Sequence, residues 1–275
     1  MQDLAPLRLA TQQPRAQGAV RLSVKPRDRS TVLDRLHQQG SLKALFPRTD
    51  GAALTAVLLN TAGGITGGDR FDQRATAQPG TQLTLSTQAA ERAYRAASGR
   101  GRVCTGLTVQ QGARIDWLPQ ETILYDGSAL ARRLDVTLVP GARALLVESL
   151  IFGRTAMGET VRQLDLDDRI TVTRAGRIVF ADRTRMMGDA QARLAGRATG
   201  QGARALASLI FAAPEAGDLL EAARALLPPT GGISQPAPDL LFARLLAPDG
   251  FALRRALIPL IGLFRQAPLP KVWMI

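Results

Sequence analysis

Apolar and polar residues alternate with a period of two along much of the first 195 positions, the signature of half-buried β-strands. Strands are predicted over residues 19–24, 133–139, 161–166 and 169–173. Four further segments share one design: Gly51-Ala-Ala-Leu-Thr-Ala-Val, Gly80-Thr-Gln-Leu-Thr-Leu-Ser, Gly112-Ala-Arg-Ile-Asp-Trp-Leu and Gly141-Ala-Arg-Ala-Leu-Leu-Val. Each is a glycine turn, a small residue and a mostly apolar strand, and they recur at intervals of 29, 32 and 29 residues. Gly176-Arg-Ile-Val-Phe-Ala reads as a fifth copy. Repeats of this length fit a layered or superhelical β-sheet body, in which each unit buries its neighbour's face; an ordinary two-sheet sandwich is the competing arrangement.

Past residue 200 the texture changes. Alanine, leucine and arginine at helical spacing predict helices over 203–212, 218–227, 239–247 and 251–266, with Asp218 and Asp239 as N-caps. Pro228-Pro229 and Gly231-Gly232 mark a break between two of these helices, and Pro259 should kink or shorten the last. The expected fold is therefore mainly β with C-terminal α-helices. One domain spans 1–275, with a β-rich body over about 1–195 and a helical region over about 200–275.

Charge and composition narrow the chemistry. The formal charge is +12, and 32 of the 35 basic residues are arginine. Arginine suits bidentate pairing with carboxylates, so an acidic protein partner competes with a merely solvated surface. Nucleic acid is disfavoured, because the arginines are scattered and aromatics make up only 4% of the chain. The N-terminal stretch lacks a continuous apolar run and reads as no secretory signal, and the longest apolar run near the C-terminus is too short to span a bilayer. A cytoplasmic location follows. His37 and Cys104 are single residues of their kinds, so a second-site Ser-His-Asp triad, a thiolate metal site and a disulfide framework are all excluded. His37 is expected at the surface and Cys104 in the core.

Val57-Leu-Leu-Asn-Thr-Ala-Gly-Gly-Ile-Thr-Gly-Gly-Asp-Arg-Phe71 is the most informative segment. A buried strand empties into a loop with the pairs Gly63-Gly64 and Gly67-Gly68, followed by Asp69. No Gly-Lys-Ser/Thr follows, and the spacing does not fit a dinucleotide fingerprint. The loop either punctuates the structure or places Asp69 at a passage or interface. Glu121 follows a proline entry, and Glu148 lies inside Leu145-Leu-Val-Glu-Ser-Leu-Ile-Phe152, where burial demands a partner; Arg154 is the expected one. These carboxylates form a structural set or line a polar passage.

The order of several blocks resembles the urease accessory protein family UreD, also called UreH. The blocks are Asn60-Thr-Ala-Gly-Gly-Ile-Thr-Gly-Gly-Asp-Arg70, Thr87-Gln-Ala-Ala-Glu-Arg-Ala-Tyr-Arg95, Leu118-Pro-Gln-Glu-Thr-Ile-Leu124, Glu148 through Gly153-Arg154 to Gly158-Glu159, and Leu269-Pro-Lys-Val-Trp273. Thr61-Ala62 stands where many relatives carry prolines, and Arg92 where lysine is common. The resemblance implies a non-catalytic nickel-insertion chaperone that binds UreF, recruits the GTPase UreG through it, and engages urease apoprotein. No tightly bound cofactor is implied; Ni2+ is cargo in transit. Asp69, Glu121, Glu148 and Glu159 are assigned to that path or its walls, with Arg154 and the four loop glycines as orienting residues. Oxygen ligands bind such ions more loosely than imidazole or thiolate, as passage requires. The C-terminal tail, above all residues 251–264, is expected to dock UreF or to cap the β core. Two other classes compete: a nucleotide- or nucleic-acid-binding protein using the glycine loop and arginines, and a glycosidase using paired carboxylates.

Overall fold

A computed structural model of the chain describes residues 14–49 and 51–274. Most of the segment on which the signal reading rests lies outside them. The strands are β1 (Gln17–Arg27), β2 (Ser30–Gly40), β3 (Leu42–Leu45), β4 (Leu54–Asn60), β5 (Arg70–Ala77), β6 (Gln82–Thr87) and β7 (Glu91–Ala93). Then come β8 (Gly101–Val109), β9 (Arg114–Leu118), β10 (Thr122–Leu124), β11 (Ala129–Leu138), β12 (Arg143–Phe152), β13 (Leu164–Arg174) and β14 (Arg177–Gly188). The last part runs through α1 (Ala190–Ala195), β15 (Ala205–Ala212), α2 (Leu220–Ala225), β16 (Gly231–Ala237), β17 (Leu240–Ala247) and α3 (Gly250–Arg265).

The glycine repeat is the architecture. β4, β6, β9 and β12, the four strands that follow Gly51, Gly80, Gly112 and Gly141, stack side by side and parallel in a second sheet ordered β16-β17-β15-β12-β9-β6-β4-β3. All four glycines have positive φ, which the turn entering each strand requires. Between copies the chain returns through a first sheet, ordered β14-β13-β11-β8-β5-β1-β2, where β1, β5, β8, β11 and β13 are also parallel. One repeat is thus one coil of a β-superhelix, and the sandwich alternative falls. The proposed fifth copy is different: Ala175 and Gly176, both at positive φ, turn β13 back into β14 as an antiparallel hairpin. Residues 161–166 and 169–173 belong largely to one strand, β13, not two.

Three layers result. The inward residues of both sheets form one apolar core, while the outer face of the second sheet packs on α2 and α3 as another. This second core corrects two of the predicted helices. β15 (ALASLIFA) and β17 (LLFARLLA) are strands that extend the second sheet, and every residue of β15 is buried. A short continuous apolar run buried on both faces has no period to distinguish strand from helix. The residue 218–227 prediction survives as α2, shortened, and residues 251–266 as α3. Asp218 and Asp239 cap no helix; Asp189 and Asp249 do, accepting from Ala192 N and Ala252 N. The Pro228-Pro229 break separates a helix from a strand. Pro259 sits inside α3, which runs on to Arg265 because Leu253, Leu257, Leu260, Ile261 and Phe264 bury one continuous face.

Candidate functional site

The glycine loop after β4 is fastened to the short strand β7 and the turn before β8. Ile65 N donates to Arg92 O (2.7 Å), and Tyr94 N donates to Ile65 O (2.8 Å). A side chain at Gly64 would strike the Tyr94 ring at 2.2 Å, and one at Gly67 would strike Ser98 O at 2.2 Å. Close packing of backbone on backbone, not a phosphate, explains these glycines. Gly67→Ala is expected to cost about 1–3 kcal/mol through overpacking. Gly63→Ala, whose added carbon meets nothing, costs only the positive-φ penalty of about 1–2 kcal/mol. Thermal unfolding of the pair distinguishes the two causes.

Asp69 is buried and ties its loop to the start of β1: one carboxylate oxygen accepts from Ala16 N (2.9 Å), the other from Thr66 N of the loop (2.8 Å). Glu159 plays the equivalent part further along. It accepts from Arg154 N, Nε and Nη2 at 2.9, 3.0 and 3.1 Å and from Asp126 N, and the Arg154 guanidinium holds its carboxyl below the usual range. Arg154 also lies 4.4 Å above the Tyr125 ring. Arg154 is therefore committed to Glu159 and is not the partner of Glu148, as the sequence suggested. Glu121 is half-buried, with Arg254 Nη1 3.7 Å away.

The partner of Glu148 is Arg132, which the sequence reading missed. Glu148 faces the core between the sheets, accepts from Trp117 Nε1 (2.7 Å), and has Arg132 Nη1 2.6 Å from Oε2, without an aligned N–H at that oxygen. Arg132 also donates to both oxygens of Asp168 (3.0 and 2.7 Å) and to Thr122 Oγ1 (3.1 Å). Burial opposes the Arg132 charge, but the Asp168 and Glu148 carboxylates outweigh it and hold the guanidinium protonated. Burial pushes the Glu148 carboxyl up, against the pull of Arg132, and the nearby Asp168 charge adds to the rise. One cation thus faces two carboxylates in a buried layer, leaving an excess negative charge.

A cavity of about 50 Å³ between the sheets is lined by Glu148, Arg132, Trp117, Thr122, Gln73 and Glu91. A wider recess of about 170 Å³, with Asn60, Gly63 and Arg92 at its walls, shares Gln73, Thr87 and Glu91 with it. Glu91 stands between the two. Its carboxylate accepts from Asn60 Nδ2 (3.1 Å) and Arg92 N (3.1 Å), while burial pushes its pKa up. Of the four carboxylates assigned from sequence, Glu148 lines this cavity; Asp69 and Glu159 brace loops, and Glu121 lies beside Arg254. Among the described residues no three His, Cys, Asp or Glu side chains converge as a metal-binding group. Cys104, expected in the core, is exposed on the outer face of the first sheet, because the alternation of β8 turns it outward; His37 is exposed as expected.

The blocks that carry the family resemblance meet in space. Trp273 near the C-terminus donates to Leu118 O (2.9 Å), and Arg254 links Gln120 to the Trp273 carbonyl. Asn60 of the glycine loop reaches Glu91 of the second block. A family model described as UreD urease accessory protein matches residues 16–274. The chain belongs to the UreD family. A urease accessory protein UreD from Ruegeria pomeroyi is 50% identical over 246 residues, covering 89% of this chain and 96% of the relative. Those from Roseobacter denitrificans and Rhizobium rhizogenes are 47% and 44% identical over 262 and 265 residues, covering 95–97% of each chain. Membership in UreD makes this an accessory protein of urease maturation and not an enzyme. No helix among the described residues is long and apolar enough to cross a membrane.

Proposed function

We propose that this UreD chain passes Ni2+ toward urease apoprotein through the polar seam between its sheets, working in the cytoplasm within a complex with UreF and, through it, the GTPase UreG. The observation that carries the reading is Glu91, a carboxylate held between the open recess and the Glu148 cavity. Two oxygen donors spaced along a narrow channel offer a divalent ion successive weak contacts, so that it moves on. Asp69 and Glu159 would serve as walls, fixing the loops that border the passage, and Glu121 as a rim group. GTP hydrolysis belongs to the partner.

Glu91→Gln and Glu148→Gln keep side-chain shape and one accepting oxygen while removing the charge; the second contact of each carboxylate is lost, because an amide nitrogen cannot accept. In a cell co-expressing urease and its accessory proteins, each is expected to lower nickel per urease active site by about tenfold, with chain yield unchanged. Normal nickel content in both would remove the assignment. Stability should move the opposite way for Glu91. A carboxyl whose pKa is raised on folding binds more protons folded than unfolded, so wild-type stability falls as pH rises above the unfolded value of about 4.3. The stability of Glu91→Gln relative to wild type therefore rises between about pH 4 and pH 7. Urea titrations at both pH values check this.

A further inference from the structure

The outer face of the first sheet holds a groove of about 360 Å³ where β1, β2, β5 and β8 meet, bordered by Gln17, Gly18, Gly40, Arg70, Arg102 and Cys104. Arg70 and Arg102 are direct neighbours on adjacent parallel strands, whose backbones run about 4.8 Å apart. Both are outward-facing and exposed. Like charges set side by side across a strand pair repel each other. Elsewhere on this face such charges are relieved. Asp72 is clasped by Arg74 (3.2 and 3.1 Å) and reached by Arg21 (3.4 Å), Arg133 pairs with Asp135 (2.7 Å), and Asp167 is held between Arg169 and Arg183. Arg70 and Arg102 make no ion pair among the described residues. The one acid beside them in the groove, Asp72, is already taken.

We infer that Arg70 and Arg102 form a clamp for the carboxylates of an acidic segment on a protein partner. Two guanidinium groups at strand spacing, pointing the same way, present paired forks to carboxylates, the geometry in which arginine binds them best. The groove has room for a few side chains. Its other walls are neutral apart from Asp72, whose charge Arg74 and Arg21 offset, so the free positive charge is concentrated on one edge. The chain's net charge of +12 supplies a field that draws an acidic surface in and suits it better than a single small anion. This site lies on the opposite side of the first sheet from the proposed nickel passage and is independent of it.

Cys104, the chain's one thiol, reports on the groove from within. The test uses the full chain, a fluorescein-labelled hexaglutamate peptide followed by anisotropy, and the rate of Cys104 alkylation by iodoacetamide. Binding of the peptide is expected to slow alkylation about fivefold or more. Arg70→Gln/Arg102→Gln should weaken binding about tenfold, whereas Arg185→Gln, an exposed arginine elsewhere on the face, changes it less than about twofold. An equal loss in Arg185→Gln would mean diffuse attraction and overturn the clamp. Equal protection by inorganic phosphate or by oligothymidylate would overturn it in favour of a phosphate site or a nucleic-acid surface. Peptide binding that leaves the alkylation rate unchanged overturns it as well.

Discussion

At pH 7, Arg132→Met is expected to lose about 3–5 kcal/mol of stability, against the roughly 5–15 kcal/mol by which a domain is usually held. The side chain sits in the layer between the sheets, only 10% exposed, and is the sole cation among the described residues that touches Glu148 and Asp168. Without it two buried carboxylates remain with no counter-charge. Burial then pushes the Glu148 carboxyl up with no Arg132 to pull it back, so the deficit should grow from pH 5 to pH 8, as the unfolded chain ionises freely and the folded one cannot. Neutralising the whole cluster reverses the logic. Arg132→Met combined with Glu148→Gln and Asp168→Asn leaves no charge to bury, keeps an acceptor for Trp117 Nε1, and should recover most of the loss. Urea unfolding of the single and triple variants at the two pH values decides it. A single variant within 1 kcal/mol of wild type, or one whose deficit ignores pH, would show that water in the adjoining cavity solvates the carboxylates in place of Arg132.

That cluster also shows how far the sequence could be read. On β11, Leu130, Leu134 and Val136 alternate inward and Arg132 shares their parity; on β13, Asp168 falls between Leu166 and Ile170 in the same way. A charge in step with an apolar face is visible in the sequence, and it marks a residue that must find a partner inside. Which strands lie opposite is not visible, because the chain returns through the other sheet between neighbours. Arg154 lies close to Glu148 in sequence, and that proximity misleads. Glu91 escaped for another reason: its strand, β7, is three residues long, too short to carry a period. The superhelix itself was legible, since every coil needs one glycine at positive φ and the intervals between them survive in the sequence. β15 and β17 were not, for they are apolar on both faces and their identity is set by the α3 layer packed on them.

That layer accounts for the second large effect. Removing the chain from Gly250 onward is expected to leave no soluble, folded protein, because α3 covers the outer face of the second sheet. Leu118, Leu145, Val147, Leu209, Phe211 and Leu241 pack beneath it and the neighbouring C-terminal residues as one buried cluster with Leu253, Leu257, Leu260, Ile261 and Phe264. Phe264 stacks on Phe211 with ring centroids 4.8 Å apart. Even one truncation within the stripe, Leu257→Ala, should cost about 2–5 kcal/mol in transfer energy and residual cavity. The helix is thus part of the core, and a deletion cannot by itself reveal whether the tail docks UreF. The exposed side can. Phe251 is 72% exposed and rests on no core residue of the sheet, so Phe251→Ser should change stability by less than about 0.5 kcal/mol. Loss of UreF capture by that folded variant assigns docking to the outer side of α3; unchanged capture leaves the helix with its packing role alone. A soluble chain ending at Asp249, with native far-ultraviolet circular dichroism and a cooperative melt, would contradict the argument at its root, since the bared sheet face would then be stable in water.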